Sequence, residues 1–133
     1  MSEPIIFQNA FLIDGNGGDP LPDAGVVVSD GTIMEVISEG KRPNLPKAQV
    51  IDLKGKTLMP GLIDAHVHPG NVEWTLNKTA ELPPAVYVHR VTKTLETDIN
   101  LGFTTLRDAA GLDAGFRSAI EEDLIRGPRL FLS

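Results

Sequence analysis

Two of the 3 histidines in this chain, His66 and His68, stand two positions apart in the stretch "GLIDAHVHPG" (61–70). Asp64 precedes the pair by two positions and Pro69-Gly70 follows it. Neutral imidazole is a good ligand for a divalent metal. Residues i and i+2 of a strand have Cα atoms roughly 6.5 Å apart. Two such imidazoles can each place a nitrogen about 2.0–2.1 Å from one Zn²⁺. The same spacing also fits two histidines closing a buried strand, although an unpartnered buried pair is costly. The chain has no cysteine, so it has no disulfide framework and any metal must use histidine, carboxylate or water.

Strict alternation along a strand puts Leu62, Asp64, His66 and His68 on one face and Ile63, Ala65 and Val67 on the other. The second face is apolar, as where helices cover a parallel sheet. The first grows polar toward its C-terminal end, where α/β folds build active sites. Asp64 either orients a metal-bound histidine or hydrogen-bonds nearby backbone. Arg107 and Asp108 end a second predicted strand. They pair with each other or with a neighbour, or Arg107 meets a substrate carboxylate. Trp74, in "NVEWTLNKTA", follows the first strand and either lines a pocket or packs in a partly exposed position. His89 lies off the apolar stripe of its helix and reads as solvated, as does the run Glu121, Glu122, Asp123. "DGNGGD" (14–19) lacks the Lys-Ser/Thr ending and following helix of a phosphate loop, and reads as a turn.

The elements that must position these residues fall into two domains, 1–59 and 60–133. The first reads as short strands. Its strongest signal is "AGVVVSDGTIMEVI" (24–37), two β-branched arms around Asp30-Gly31, a dipeptide suited to a type I′ turn. A loop over 39–48, a strand "QVIDL" (49–53) and a Lys54-Gly55 turn complete it. From Pro60 the period changes. A strand over 61–68 is followed by a helix over 83–103 with apolar residues at 84, 88, 91, 95 and 99. A strand over 103–109 comes next, then a helix over 113–127 with Phe116, Ile120 and Leu124 on one face. Gly127-Pro128 stops that helix before a strand from 129. Alternating strands and helices at this spacing predict an α/β fold with a parallel sheet.

With 41% hydrophobic and 23% charged residues, the composition is that of a globular protein. A net charge of −6 argues against nucleic acid or an anionic membrane surface as partner. No run approaches the roughly 18 apolar residues of a membrane span. "MSEPIIFQNA" lacks the basic start and apolar core of a secretion signal. The expected location is cytoplasmic.

"TLMPGLIDAHVH" (57–68), after "VIDLKGK" (50–56), closely resembles the amidohydrolase superfamily of metal-dependent hydrolases. "GFTTLRDAAG" (102–111) and "IRGPRLFLS" (125–133) resemble its imidazolonepropionase-like group, which includes Xaa-Pro dipeptidases. The resemblance spans essentially the whole chain. It implies the start of a (β/α)8 TIM-type barrel preceded by a small β-sandwich-like domain, with His66 and His68 as ligands of one or two divalent metals, zinc foremost. It also implies that the loop bearing Trp74 borders the pocket. The implied activity is hydrolysis of amide bonds in small molecules such as dipeptides or N-acyl amino acids by a metal-activated water. The family's remaining site residues are a bridging lysine, two further histidines and a late aspartate that handles the water proton. These are expected beyond residue 133, so no catalytic base is expected in this chain. A barrel of this type needs about 250 residues. The chain therefore reads as the N-terminal portion of such an enzyme, inactive alone. The competing reading is a non-catalytic structural module that associates through its open sheet edge. Both imply a homo-oligomer.

Overall fold

The computed structural model describes residues 3–38, 41 and 43–133. The expected loop over 39–48 therefore lies partly outside the described residues, as do the first two residues of the N-terminal stretch. The chain divides into two compact units, Met1–Pro60 and Gly61–Ser133.

The first unit is all β: β1 Ile5–Leu12, β2 Leu21–Ser29, β3 Thr32–Ile37, β4 Gln49–Asp52 and β5 Thr57–Leu58. The sheet order is β3-β2-β1-β4, with β5 also pairing β1. β1–β2 and β2–β3 are antiparallel, whereas β4 and β5 lie parallel to β1. Asp30 (φ 49°) and Gly31 (φ 73°) join Ser29 to its partner Thr32, both with the positive φ that a type I′ hairpin demands. Lys54 (φ 52°) and Gly55 (φ 77°) make the turn that lets β4 and β5 share one neighbour. Ile6, Val27 and Ile37 form one buried cluster of this unit, and Leu12, Ala24 and Val26 another.

The second unit runs β6 Leu62–Val67, α1 Leu76–Ala80, α2 Pro84–Asn100, β7 Phe103–Asp108, α3 Ala114–Glu121 and β8 Arg129–Phe131. The three strands are parallel in the order β6-β7-β8. Proline at the first position starts α2, and Gly102 (φ 96°) follows its C-cap, each residue placed where its backbone preference fits. Val91 and Leu95 of α2 are buried against Leu106 of β7 and Leu130 of β8, with Leu112 and Phe116 completing the cluster.

Three details depart from the periodicity. The buried face of α2 is turned toward Tyr87, Val91 and Leu95, leaving Val88 at 47% exposure. α3 ends at Glu121, because Asp123 adopts a left-handed φ of 56°, and Leu124 is 70% exposed. The short helix α1 was not expected; five residues are too few to show an amphipathic period, and its start rests on Thr75 Oγ1 accepting the Lys78 N–H at 3.3 Å.

The largest departure is in β6. Asp64 pairs with Leu106 in the ladder, and Val67 pairs with Asp108, so both lie on the face of Leu106, which is buried under α2. Three steps separate Asp64 from Val67, and the register shifts between them. An irregularity of this kind reverses the facing of what precedes it. Ile63 accordingly pairs with Thr105, away from the helices, and is 71% exposed. The expected single face of Leu62, Asp64, His66 and His68 is thus broken.

Candidate active site

The strand irregularity has a local cause. Asp64 Oδ1 accepts the backbone N–H of His66 at 3.0 Å, a side-chain bond that competes with the ladder. Of the two roles open to Asp64, the observed one is to hold the backbone of His66. On the far side the strand ends sharply. Pro69 and Gly70 are buried, and Asn71 donates its N–H to the carbonyl of His68 at 3.0 Å. The Tyr87 hydroxyl lies 2.8 Å from where a Cβ on Gly70 would stand. Only glycine lets the chain turn this close to Tyr87.

Between these two anchors the imidazoles of His66 and His68 come together, with ring centroids 5.3 Å apart and planes at 81°. A tetrahedral metal with about 2.0–2.1 Å metal–nitrogen bonds spaces the centroids of two imidazole ligands roughly 5 Å apart. The pair fits a shared metal. Among the described residues no third His, Cys, Asp or Glu joins them, whereas catalytic zinc sites usually have three protein ligands.

Arg107 and Asp108 do not pair with each other, because successive residues of a strand point to opposite faces. Arg107 donates from Nη1 to the carbonyl of Ala65 at 3.2 Å, bracing β6 just before His66. Asp108 is fully buried on the helix face, where Oδ2 accepts the Leu112 N–H at 3.0 Å and shapes the loop after β7. Its Oδ1 has no partner among the described residues. Trp74 is 97% exposed, so the packing role expected of it is not observed. Its loop is nonetheless anchored on both sides, by the Glu73–Arg90 ion pair to α2 and by the Thr75 cap of α1. His89 is exposed, as its helical position suggests.

Tyr87 is the site residue that periodicity did not single out, although it precedes buried Val91 by one helical turn. Burial raises its phenol pKa, with the Asp108 and Asp113 carboxylates adding to the rise, so it stays protonated. It shares with His68 a cleft of about 720 Å³ beneath α1.

A parallel strand ending in a His-x-His pair that matches a shared metal defines a metal-dependent hydrolase class of site. The amidohydrolase family model matches residues 49–119, which include β6, both histidines and Asp108. The chain belongs to the amidohydrolase family. It is 32% identical to ochratoxinase of Aspergillus niger over 96% of this chain and 27% of that protein. It is also 32% identical to a probable guanine deaminase of Deinococcus radiodurans, over 68% of this chain and 24% of the relative. Among solved structures, a prolidase complexed with N-methylphosphonate-L-proline superposes with a TM-score of 0.90 at 36% identity, over 98% of this chain and 31% of that one. An amidohydrolase crystal structure gives 0.88 at 40% identity, with the same two coverages. The chain thus spans between a quarter and a third of the length of these relatives. Among the described residues, no helix is long and apolar enough to cross a membrane.

Proposed function

We propose that this chain is the N-terminal portion of a metal-dependent amidohydrolase that cleaves amide bonds of small substrates such as dipeptides or N-acyl amino acids. On this reading β6, β7 and β8 are the first three strands of a (β/α)8 barrel, and residues 1–59 belong to a small β-sandwich-like domain. The observation that carries the proposal is the 5.3 Å pairing of His66 and His68 at the C-terminal end of a parallel strand, the end at which such barrels do chemistry. His66 and His68 hold the metal, zinc by the chemistry of two imidazoles and no thiolate. When bound, such a metal supplies Lewis acidity toward a carbonyl and a water of lowered pKa.

The chain's own residues supply position. Asp64 and Arg107 hold the backbone around His66 through its N–H and the carbonyl of Ala65. Pro69-Gly70, packed under Tyr87, fixes the exit after His68. The ligands this site still lacks, and the aspartate that moves the water proton, belong to the remainder of the enzyme. The exposed apolar residues at the two outer strands, Ile63 of β6 and Phe131 of β8, support further strands or a second subunit covering them.

The test is metal content and turnover of the complete gene product against dipeptides, N-acyl amino acids and aminopurines. Bound zinc with amide hydrolysis supports the proposal. Turnover of aminopurines alone would move the reaction to deamination, and a product with neither metal nor activity would overturn the reading.

A further inference from the structure

The cleft shared by His68 and Tyr87 has a lining chemistry that bears on the substrate. Its walls come from the turn after β6, from α1, from the start of α2 and from the loop after β7. Leu76, Leu82 and Pro84 supply most of its apolar surface, and glycines and alanines leave room between them. Asn71, Thr79 and Tyr87 contribute neutral polar groups. Among the described residues that line it, none is Asp, Glu, Lys or Arg. Its volume of about 720 Å³ lies within the usual range for small-molecule pockets.

We propose that this cleft receives an uncharged, apolar acyl group of the substrate, so that N-acyl amino acids are preferred over dipeptides with a free amino group. This rests on the amidohydrolase reading above and narrows its substrate class. The physical reason is desolvation. An α-ammonium entering the cleft loses water and finds no carboxylate to replace it. An alkyl or aryl chain instead gains from burial against Leu76, Leu82 and Pro84. His68 at one wall ties the cleft to the proposed reaction centre, so an acyl chain lying there has its carbonyl end beside the metal ligands. Tyr87, protonated and neutral, is a donor suited to a carbonyl or ether oxygen of the same group.

The complete gene product is assayed with N-octanoyl-L-alanine, N-acetyl-L-alanine and the dipeptide L-norleucyl-L-alanine, and octanoyl-alanine binding is measured by calorimetry. Wild type is expected to favour octanoyl-alanine over norleucyl-alanine in kcat/KM by about tenfold or more. Ala80→Phe, at an exposed position of α1 lining the cleft, fills the space. It should lower the octanoyl-to-acetyl ratio by about tenfold, mainly through KM, and weaken octanoyl-alanine binding to a similar degree. Leu76→Asp places a carboxylate in the lining and should shift the preference toward the dipeptide. Turnover whose acyl selectivity is unchanged in both variants overturns the cleft assignment and leaves the amidohydrolase reading intact. So does a wild-type preference for the dipeptide. If no substrate is hydrolysed, the amidohydrolase reading fails separately; octanoyl-alanine binding weakened by Ala80→Phe still supports the cleft, and binding unaffected by it, or none, overturns it.

Discussion

Asp64 accepts the backbone N–H of His66 at 3.0 Å, and the register of β6 slips between Asp64 and Val67. That one bond separates an aspartate facing Leu106 and α2 from a histidine pair at the end of the strand. The acid that precedes the pair therefore acts on its backbone.

Replacing Asp64 tests this directly. In the complete enzyme, Asp64→Ala should weaken metal binding by about tenfold or more, because the backbone carrying His66 loses its anchor. Asp64→Asn keeps an acceptor oxygen and should retain most of the affinity. Competition against a chelator reads both. Wild-type affinity in Asp64→Ala would show that the bond does not set the position of His66.

The histidines themselves hold little of the fold. His66 is exposed and His68 only half-buried. Replacing both by alanine should change the stability of the 133-residue chain by no more than about 0.5 kcal/mol, while removing metal from the complete enzyme. Urea denaturation and metal analysis measure the two effects. A large loss of stability would assign the pair a packing role.

Asp98 of α2 gives a pH dependence. Burial raises its carboxyl pKa, and the Asp64 carboxylate adds to the rise. The folded state thus binds the proton more tightly than the unfolded state, whose pKa is near 3.8. The penalty is absent below that unfolded value, develops as pH rises through the folded pKa, and is constant above it. Asp98→Asn should be more stable than wild type at neutral pH, with the difference vanishing as pH falls toward 3.8. Denaturation midpoints across that range measure it. A gain that persists below the unfolded pKa would place the effect outside this ionisation.

A methyl group on Gly70 would sit 2.8 Å from the Tyr87 hydroxyl oxygen but 4.0 Å from its ring carbon Cζ. Gly70→Ala should therefore destabilise by about 1–3 kcal/mol, as overpacking does. Adding Tyr87→Phe removes the offending oxygen and should restore most of the loss. The double-mutant cycle reports the coupling. Simple additivity would mean that the two residues do not meet as described.

The sequence alone determined the local pieces. Asp30-Gly31 specifies its hairpin because positive φ at both positions is a property of those two residues. The spacing of Val91 and Leu95 marks the buried face of α2, and the strand–helix alternation after Pro60 leads to the parallel order β6-β7-β8. The His-x-His pair and the residues before it were enough to reach the family. Other features depended on contacts distant in sequence. Alternation misassigned Asp64 and Ile63, because a side-chain bond to the backbone shifts the register in a way no residue pattern marks. Arg107 and Asp108 are neighbours in sequence, yet one braces Ala65 and the other holds Leu112. Tyr87 reads as ordinary helix core until the fold brings its hydroxyl against Gly70, 17 positions away, beside the cleft that His68 lines. Periodicity reports which way a side chain faces while the ladder stays regular; what meets across the sheet and helix is decided only when they pack.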